Sequence, residues 1–161
     1  MRRKDREITD TNEIIKIVSE CDVLHLGMCD NGKPYVVPVN FGFTYENETF
    51  TFYIHGAASG KKIDILKNSP QVFLQLDCRH EVILGSQQKP CAFSFAYASI
   101  MAESRAQFIE DPEEKRATLN IIIKHCAKTE DNFTFPSPML KKTCVIAFKA
   151  ENLSAKAHSI N

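Results

Sequence analysis

No stretch of this chain approaches the roughly 20 consecutive apolar residues of a membrane helix, so no segment reads as a helical span. Charge of one sign is lacking too. Twenty Lys and Arg stand against twenty Asp and Glu, so no global field draws the protein to nucleic acid or to an anionic membrane. The one basic run, Arg2, Arg3, Lys4 and Arg6, is broken by Asp5 and Glu7 and reads as a solvated tail. Cys-x-x-Cys is absent although Cys21, Cys29, Cys78, Cys91, Cys126 and Cys144 are present, which leaves neither a zinc-finger spacing nor a redox dithiol. Most of the six read as small core residues in a reducing compartment, with disulfides in an exported protein as the alternative. The N-terminal stretch is charged rather than apolar, so no signal peptide is expected and a cytoplasmic location is. Gly-x-Gly-x-x-Gly, internal repeats and low-complexity segments are missing as well, and with them the usual mark of a Rossmann turn.

What is present fits one packed domain over 1–161, since 43% hydrophobic residues in a chain of 161 suffice for a single core. Asp10 and Glu13 form a capping-box pair ahead of Ile14, Ile15, Val18 and Cys21, which predicts a helix over 11–20. Strands are expected over 23–28 and 34–43, joined by a tight turn at Asp30-Asn31-Gly32. Beyond a turn at Glu46-Asn47-Glu48, Phe50, Phe52 and Ile54 alternate with Thr49, Thr51, Tyr53 and His55, the period of a strand with one buried face. Ser59 is expected to cap a helix reaching Lys67, with Ile63 and Leu66 inward. Further strands are expected over 72–77 and 93–108, the second long enough to need a bend or bulge, with a polar loop over 85–90. Asp111-Pro112-Glu113-Glu114 opens a helix that reaches Cys126. An aperiodic loop over 128–138 and a last strand over 144–151, with Cys144, Ile146 and Phe148 inward, complete the chain. Hairpin-joined strands with few helices point to a mainly β fold, an antiparallel barrel with peripheral helices.

The chemistry gathers where strand gives way to helix. Ser59, Gly60, Lys61 and Lys62 place a hydroxyl, close backbone approach and two cations at a helix N-terminus, where unpaired N–H groups accept a phosphate. The plainer reading is two solvated lysines. His55 titrates near neutrality and could pass a proton to a substrate, or it could be a strand histidine held by packing. The Asp77-Cys78-Arg79-His80-Glu81 cluster reads as a charged strand end, because adjacent strand residues face opposite ways; no metal site and no nucleophilic Cys78 is expected. His25 alternates with Leu24 and Leu26 and faces outward or toward a partner subunit, while His125 and His158 read as structural or exposed.

Gly-x-Pro-x-x-x-Pro-Val-x-Phe from Gly32, Tyr-x-His-x-Ala-x-x-Gly-Lys-Lys from Tyr53, the opening Met1-Arg2-Arg3-Lys4-Asp5-Arg6-Glu7 and Asp77-x-x-His80-Glu81 occur in one order. Together they resemble the nitroimidazole-reductase branch of the pyridoxamine 5′-phosphate oxidase-like flavoproteins. The resemblance implies a six-stranded antiparallel split β-barrel that binds FMN without a covalent bond at a homodimer interface. It implies that the strand carrying Pro38, Val39 and Asn40 offers backbone groups to the flavin ring. Tyr53, Ile54 and His55, then Ser59, Gly60, Lys61 and Lys62 at the phosphate, and Ser99 complete the implied cofactor set. His55 is the implied catalytic residue, acting on a small, nitro-aromatic type of compound with electrons from NAD(P)H. A flavin- or haem-binding carrier or sensor without its own turnover is the alternative. Ala58 and Ala98 stand where charged residues are common in relatives, which implies a thinner cationic clamp on the phosphate.

Overall fold

The computed structural model describes residues 3–159. Met1 and Arg2, which open the basic run and one of the motifs, lie outside the described residues. Strand β1 (Glu7–Ile8) leads into α1 (Thr11–Glu20), where Asp10 accepts the Glu13 N–H at 2.8 Å and so satisfies one orphan donor of the first turn. Ile14, Ile17 and Val18 bury its inner stripe.

Strands β2 (Leu24–Asp30) and β3 (Lys33–Val39) form the first hairpin, turned by Asn31 at φ 49° and Gly32 at φ 82°, both in the left-handed region that a tight turn needs. The strand expected over 34–43 is divided. β3 pairs with β2, whereas β4 (Gly42–Glu46) pairs with β5 (Thr49–Ala57), and between them Phe41 turns into the core against Phe52. Helix α2 (Lys61–Asn68) follows, then β6 (Gln71–Ile83), β7 (Ser94–Ile109) and α3 (Pro112–Ala127). Asp111 caps α3 by accepting the Glu113 and Glu114 N–H groups at 3.0 and 2.8 Å.

The end of the chain differs from expectation in two places. Helix α4 (Ser137–Lys142) sits where only loop was expected to end, too short to show a helical period. A further strand, β9 (Glu151–His158), follows β8 (Thr143–Lys149). Its inward side is Leu153, Ala155 and Ala157, mostly too small to mark a strand in sequence.

All strand pairings are antiparallel, in the order β3-β2-β6-β7-β8-β5-β4, with β9 against β7 and β1. β7 belongs to two sheets. Its 97–103 stretch pairs with β9 and its 106–109 stretch with β8, while β6 runs along it through a bulge between Cys78 and Glu81. The outermost strands of the order, β3 and β4, are not joined to each other, so the barrel is split as expected, though drawn with nine strands rather than six.

One core fills the barrel around Phe41, Phe52, Phe148, Leu74 and Ile100. A smaller cluster of Ile109, Leu119, Leu140, Val145 and Ala147 lies between β8 and helices α3 and α4. β8 is therefore buried on both faces, not on the one face its alternation suggests, because those helices cover the other. The cysteines also depart from expectation: all six are free, and Cys29, Cys91 and Cys126 are exposed while only Cys21 is fully buried. No helix among the described residues is long and apolar enough to cross a membrane.

α3 lies so close on β4 that a Cβ at Gly42 would stand 2.7 Å from the Ile122 Cα and N. Gly42→Ala should therefore cost about 1–3 kcal/mol of stability through forced displacement of the helix. Urea unfolding measures it, and an unchanged midpoint would show that α3 is not held that tightly.

Candidate functional site

The junction from β5 into α2 forms as expected, but its cap does not. Gly60, at φ 125° and ψ 164°, occupies the N-cap position, and no side chain caps the helix. Ser59 stands one residue too early, and the glycine conformation that starts the helix leaves its first-turn N–H groups without a side-chain acceptor. They present a partial positive charge at the surface.

The two lysines diverge, as successive helix residues must at about 100° apart. Lys61 Nζ lies 3.4 Å from Asp30 Oδ2 and 4.5 Å above the Tyr35 ring, tied to the tip of the first hairpin. Lys62 turns the other way, its Nζ 3.7 Å from where a Gly56 Cβ would be, alongside the main chain of β5. Burial pushes the Lys62 amine below its usual range, against the opposing pull of Cys144. Burial, then the Lys62 charge, hold His55 below the ordinary histidine value. Among the described residues no hydrogen bond or ion pair involves the His55 side chain, while its main chain pairs with Val145.

Around His55 the main chain of β5 is open on one edge. Pairing with β4 ends at Gly42 and Tyr53, so residues 54–57 keep a strand partner only in β8. Ile54 points into the core at 1% exposure and can meet a ligand only through its backbone. Tyr53 packs against the smaller cluster beneath α3 and α4, with its hydroxyl 3.2 Å from Thr44 Oγ1.

Pro38 and Ser99 lie elsewhere, on the outer face of the sheet formed by β3, β2, β6, β7 and β9. β3 is an edge strand, the place where prolines such as Pro34 and Pro38 are tolerated. Pro38, His25, Gln75 and Met101 stand in one cross-strand row, and Asp77, Ser99 and Lys156 in the next. Val39 packs partly inward and Asn40 is exposed where the strand ends. The face also shows Val36 and Phe73 at 59% and 46% exposure, an apolar area without a covering element.

Two polar atoms on this face are sealed from solvent without a partner: Ser99 Oγ and His25 Nδ1. Asp77 lies between them. It accepts the Gln75 amide at 2.6 Å, contacts His80 Nε2, and stands 3.9 Å from His25 Nδ1. The bulge puts Arg79 at φ 59° and sends its guanidinium back to Glu13 and Glu20 of α1 at 2.7 and 2.6 Å. Asp77 and His80 thereby meet across that turn, within a charged strand end. At its margin is a cavity of about 570 Å³ lined by His25, Pro38, Asp77, Cys78 and His80 among others.

The structure thus brings His55 and Lys62 together beside Gly60, and Pro38 and Ser99 together with His25 and Asp77. Sequence reasoning gave Gln75 and Asp77 no site role; the signal was their alternation with Leu74 and Leu76, which puts them on one outward face with His25. Ala98 does not bear on a surface clamp. That residue is fully buried and faces the barrel interior, so an arginine there would have to enter the core rather than reach a surface phosphate.

The sequence profile of the pyridoxamine 5′-phosphate oxidase family matches residues 10–157. The chain is similar to a proposed 5-nitroimidazole antibiotic resistance protein from Bacteroides thetaiotaomicron, 34% identical over 94% of this chain and 86% of that one, with a TM-score of 0.79. Its fold is also that of a flavocytochrome from Azotobacter vinelandii, 20% identical over 99% of this chain and 72% of that one at a TM-score of 0.78. An FAD and haem binding protein from Mycobacterium smegmatis, 17% identical over 96% and 74% of the two chains, gives 0.81. No curated protein matches.

Lys62→Met should raise the His55 pKa toward its ordinary value, since the cation that opposes protonation is gone while the burial remains. Proton NMR titration of the histidine ring reads the shift. An unmoved His55 would place the ammonium out of electrostatic reach.

Proposed function

Because the chain belongs to the pyridoxamine 5′-phosphate oxidase family, we propose that it is an FMN-dependent oxidoreductase. Its substrate is a small compound of the nitro-aromatic class, its electrons come from NAD(P)H, and it works as a cytoplasmic homodimer. The observation that carries the reading is the uncapped start of α2 beside Lys62: bare N–H groups, a glycine cap and a half-buried cation form a seat for a phosphate. The open edge of β3 at Pro38, Val39 and Asn40 suits the hydrogen-bonding edge of a flat ring, and Ser99 would lie beneath the same sheet face. FMN supplies hydride and electron transfer when bound. Tyr53 and Ile54 hold the β5 wall that carries His55. Burial and then Lys62 disfavour the charged form of His55, which leaves its neutral imidazole to hydrogen-bond the substrate. A second subunit over the apolar face of β3, β2, β6 and β7 would cover the ring. The nitro-aromatic class follows from the likeness to the Bacteroides protein.

A flavin- or haem-binding carrier or sensor is the second reading. Lys61 favours it, because its charge is spent on Asp30 rather than left for a phosphate, which suits loose or exchangeable occupancy. Acceptor-dependent oxidation of NAD(P)H separates the two.

Protein mixed with FMN and passed through a desalting column should keep a flavin spectrum. Lys62→Ala should weaken FMN binding by about 1.5–3 kcal/mol, the range of a charge-assisted hydrogen bond, and Lys61→Ala by less. A colourless eluate, or equal losses in the two variants, would remove the phosphate seat at Lys62.

A further inference from the structure

We infer that His25, backed by Asp77, delivers a proton to the compound reduced at the β3 face; this rests on the flavin reading above. His25 is the cross-strand neighbour of Pro38, on the strand edge assigned to the ring. Its side chain is 41% exposed, yet Nδ1 is sealed and without a hydrogen bond. The exposure therefore belongs to the rest of the ring, and with it to Nε2, which faces the open side of the sheet. Behind Nδ1 stands Asp77 Oδ1 at 3.9 Å, one small ring rotation from a hydrogen bond that would fix the tautomer and offer a counter-charge to an imidazolium. Gln75, donating to Asp77 at 2.6 Å, and His80 on its other oxygen hold that carboxylate in place. Glu20 and Asp22 at the end of α1, and Arg79 on β6, are the other charged groups lining the cavity. Arg79 is engaged by Glu13 and Glu20 and leaves Asp77 to the histidines.

His55 offers the contrast. Burial and then the Lys62 cation lower its pKa, and among the described residues no carboxylate pairs with it to favour the imidazolium, so it is the weaker candidate for a proton donor. Reduction of a nitro group to a nitroso group needs two electrons and two protons. Bound flavin would supply the electron pair and one proton as hydride drawn from NAD(P)H. His25 Nε2 provides the second proton. One N–O bond breaks, the oxygen leaves as water carrying both hydrogens, and His25 is recharged from solvent. Asp77 acts through His25 and is a positioning residue.

The test uses FMN-loaded protein with NAD(P)H and para-nitrobenzoate. His25→Asn should lower turnover by about 100-fold, the scale of a lost general acid, while FMN affinity and the rate of flavin bleaching by NAD(P)H stay within about twofold. Asp77→Asn should lower kcat by about tenfold with little change in KM, Asp77→Glu should recover part of it, and imidazole should partly rescue His25→Gly. A readout apart from turnover is labelling by diethyl pyrocarbonate, mapped by mass spectrometry. His25 should be carbethoxylated in the ligand-free protein and protected when FMN and para-nitrobenzoate are both present. Flavin bound with turnover unaltered in His25→Asn, or labelling of His25 undiminished by the ligands, would overturn the role of His25 alone. Wild-type protein that retains no flavin would overturn the oxidoreductase reading and this role together.

Discussion

Everything in this molecule is positioned by one strand that serves two sheets. β7 gives 97–103 to β9 and 106–109 to β8 while β6 pairs with its 94–105 stretch, so the sheet must curl at Ala102–Ala106 rather than lie flat. Small residues make this possible: Ala98, Ala102 and Ala106 face the interior, where the large rings of Phe41, Phe52 and Phe148 fill the space. Ser104 fastens the corner by donating to the Lys149 carbonyl at 2.7 Å. With β7 so placed, helices α3 and α4 cover the sheet of β5 and β8, and the outer face of β3, β2, β6 and β7 is left bare.

That asymmetry decides where binding chemistry can lie. On the covered side, burial and a neighbouring cation work on His55 and Lys62. The bare side keeps polar atoms that the fold seals but does not satisfy, Ser99 Oγ and His25 Nδ1, amid Val36, Phe73 and Met101. Buried polar groups are costly without partners, and an apolar area of this kind is costly to leave in water. A flat ring together with a second copy of the chain would cover the apolar area.

Much of this was legible in the residues. The capping aspartates Asp10 and Asp111, the Asn31-Gly32 turn and the alternation of Phe50, Phe52 and Ile54 all correspond to the local structure they suggest, because each acts over a few residues. The breaks came where long-range packing overrode local pattern. β3 and β4 look like one strand until the two-sheet topology demands a crossing at Phe41. β8 alternates like a half-buried strand, yet α3 and α4 bury its other face. β9 was hidden because alanines pair well in a sheet but do not announce it. At the site, Gly60 and Lys62 stand at the start of a helix as their spacing suggested, whereas Ser59 does not cap and Lys61 turns to Asp30. Such outcomes depend on helix phase and on a hairpin tip thirty residues away, which no short window of sequence contains.

On the proposed function, the bare face of β3, β2, β6 and β7 is completed by a second chain, with flavin held beneath it. Sedimentation velocity of the FMN-loaded protein, with absorbance read at a flavin wavelength, tests this most directly. The flavin should sediment with a species of twice the 18.2 kDa chain mass, and Phe73→Lys combined with Met101→Lys should yield a monomer that has lost it. Flavin travelling with a wild-type monomer, or retained in full by the doubly substituted protein, would contradict it.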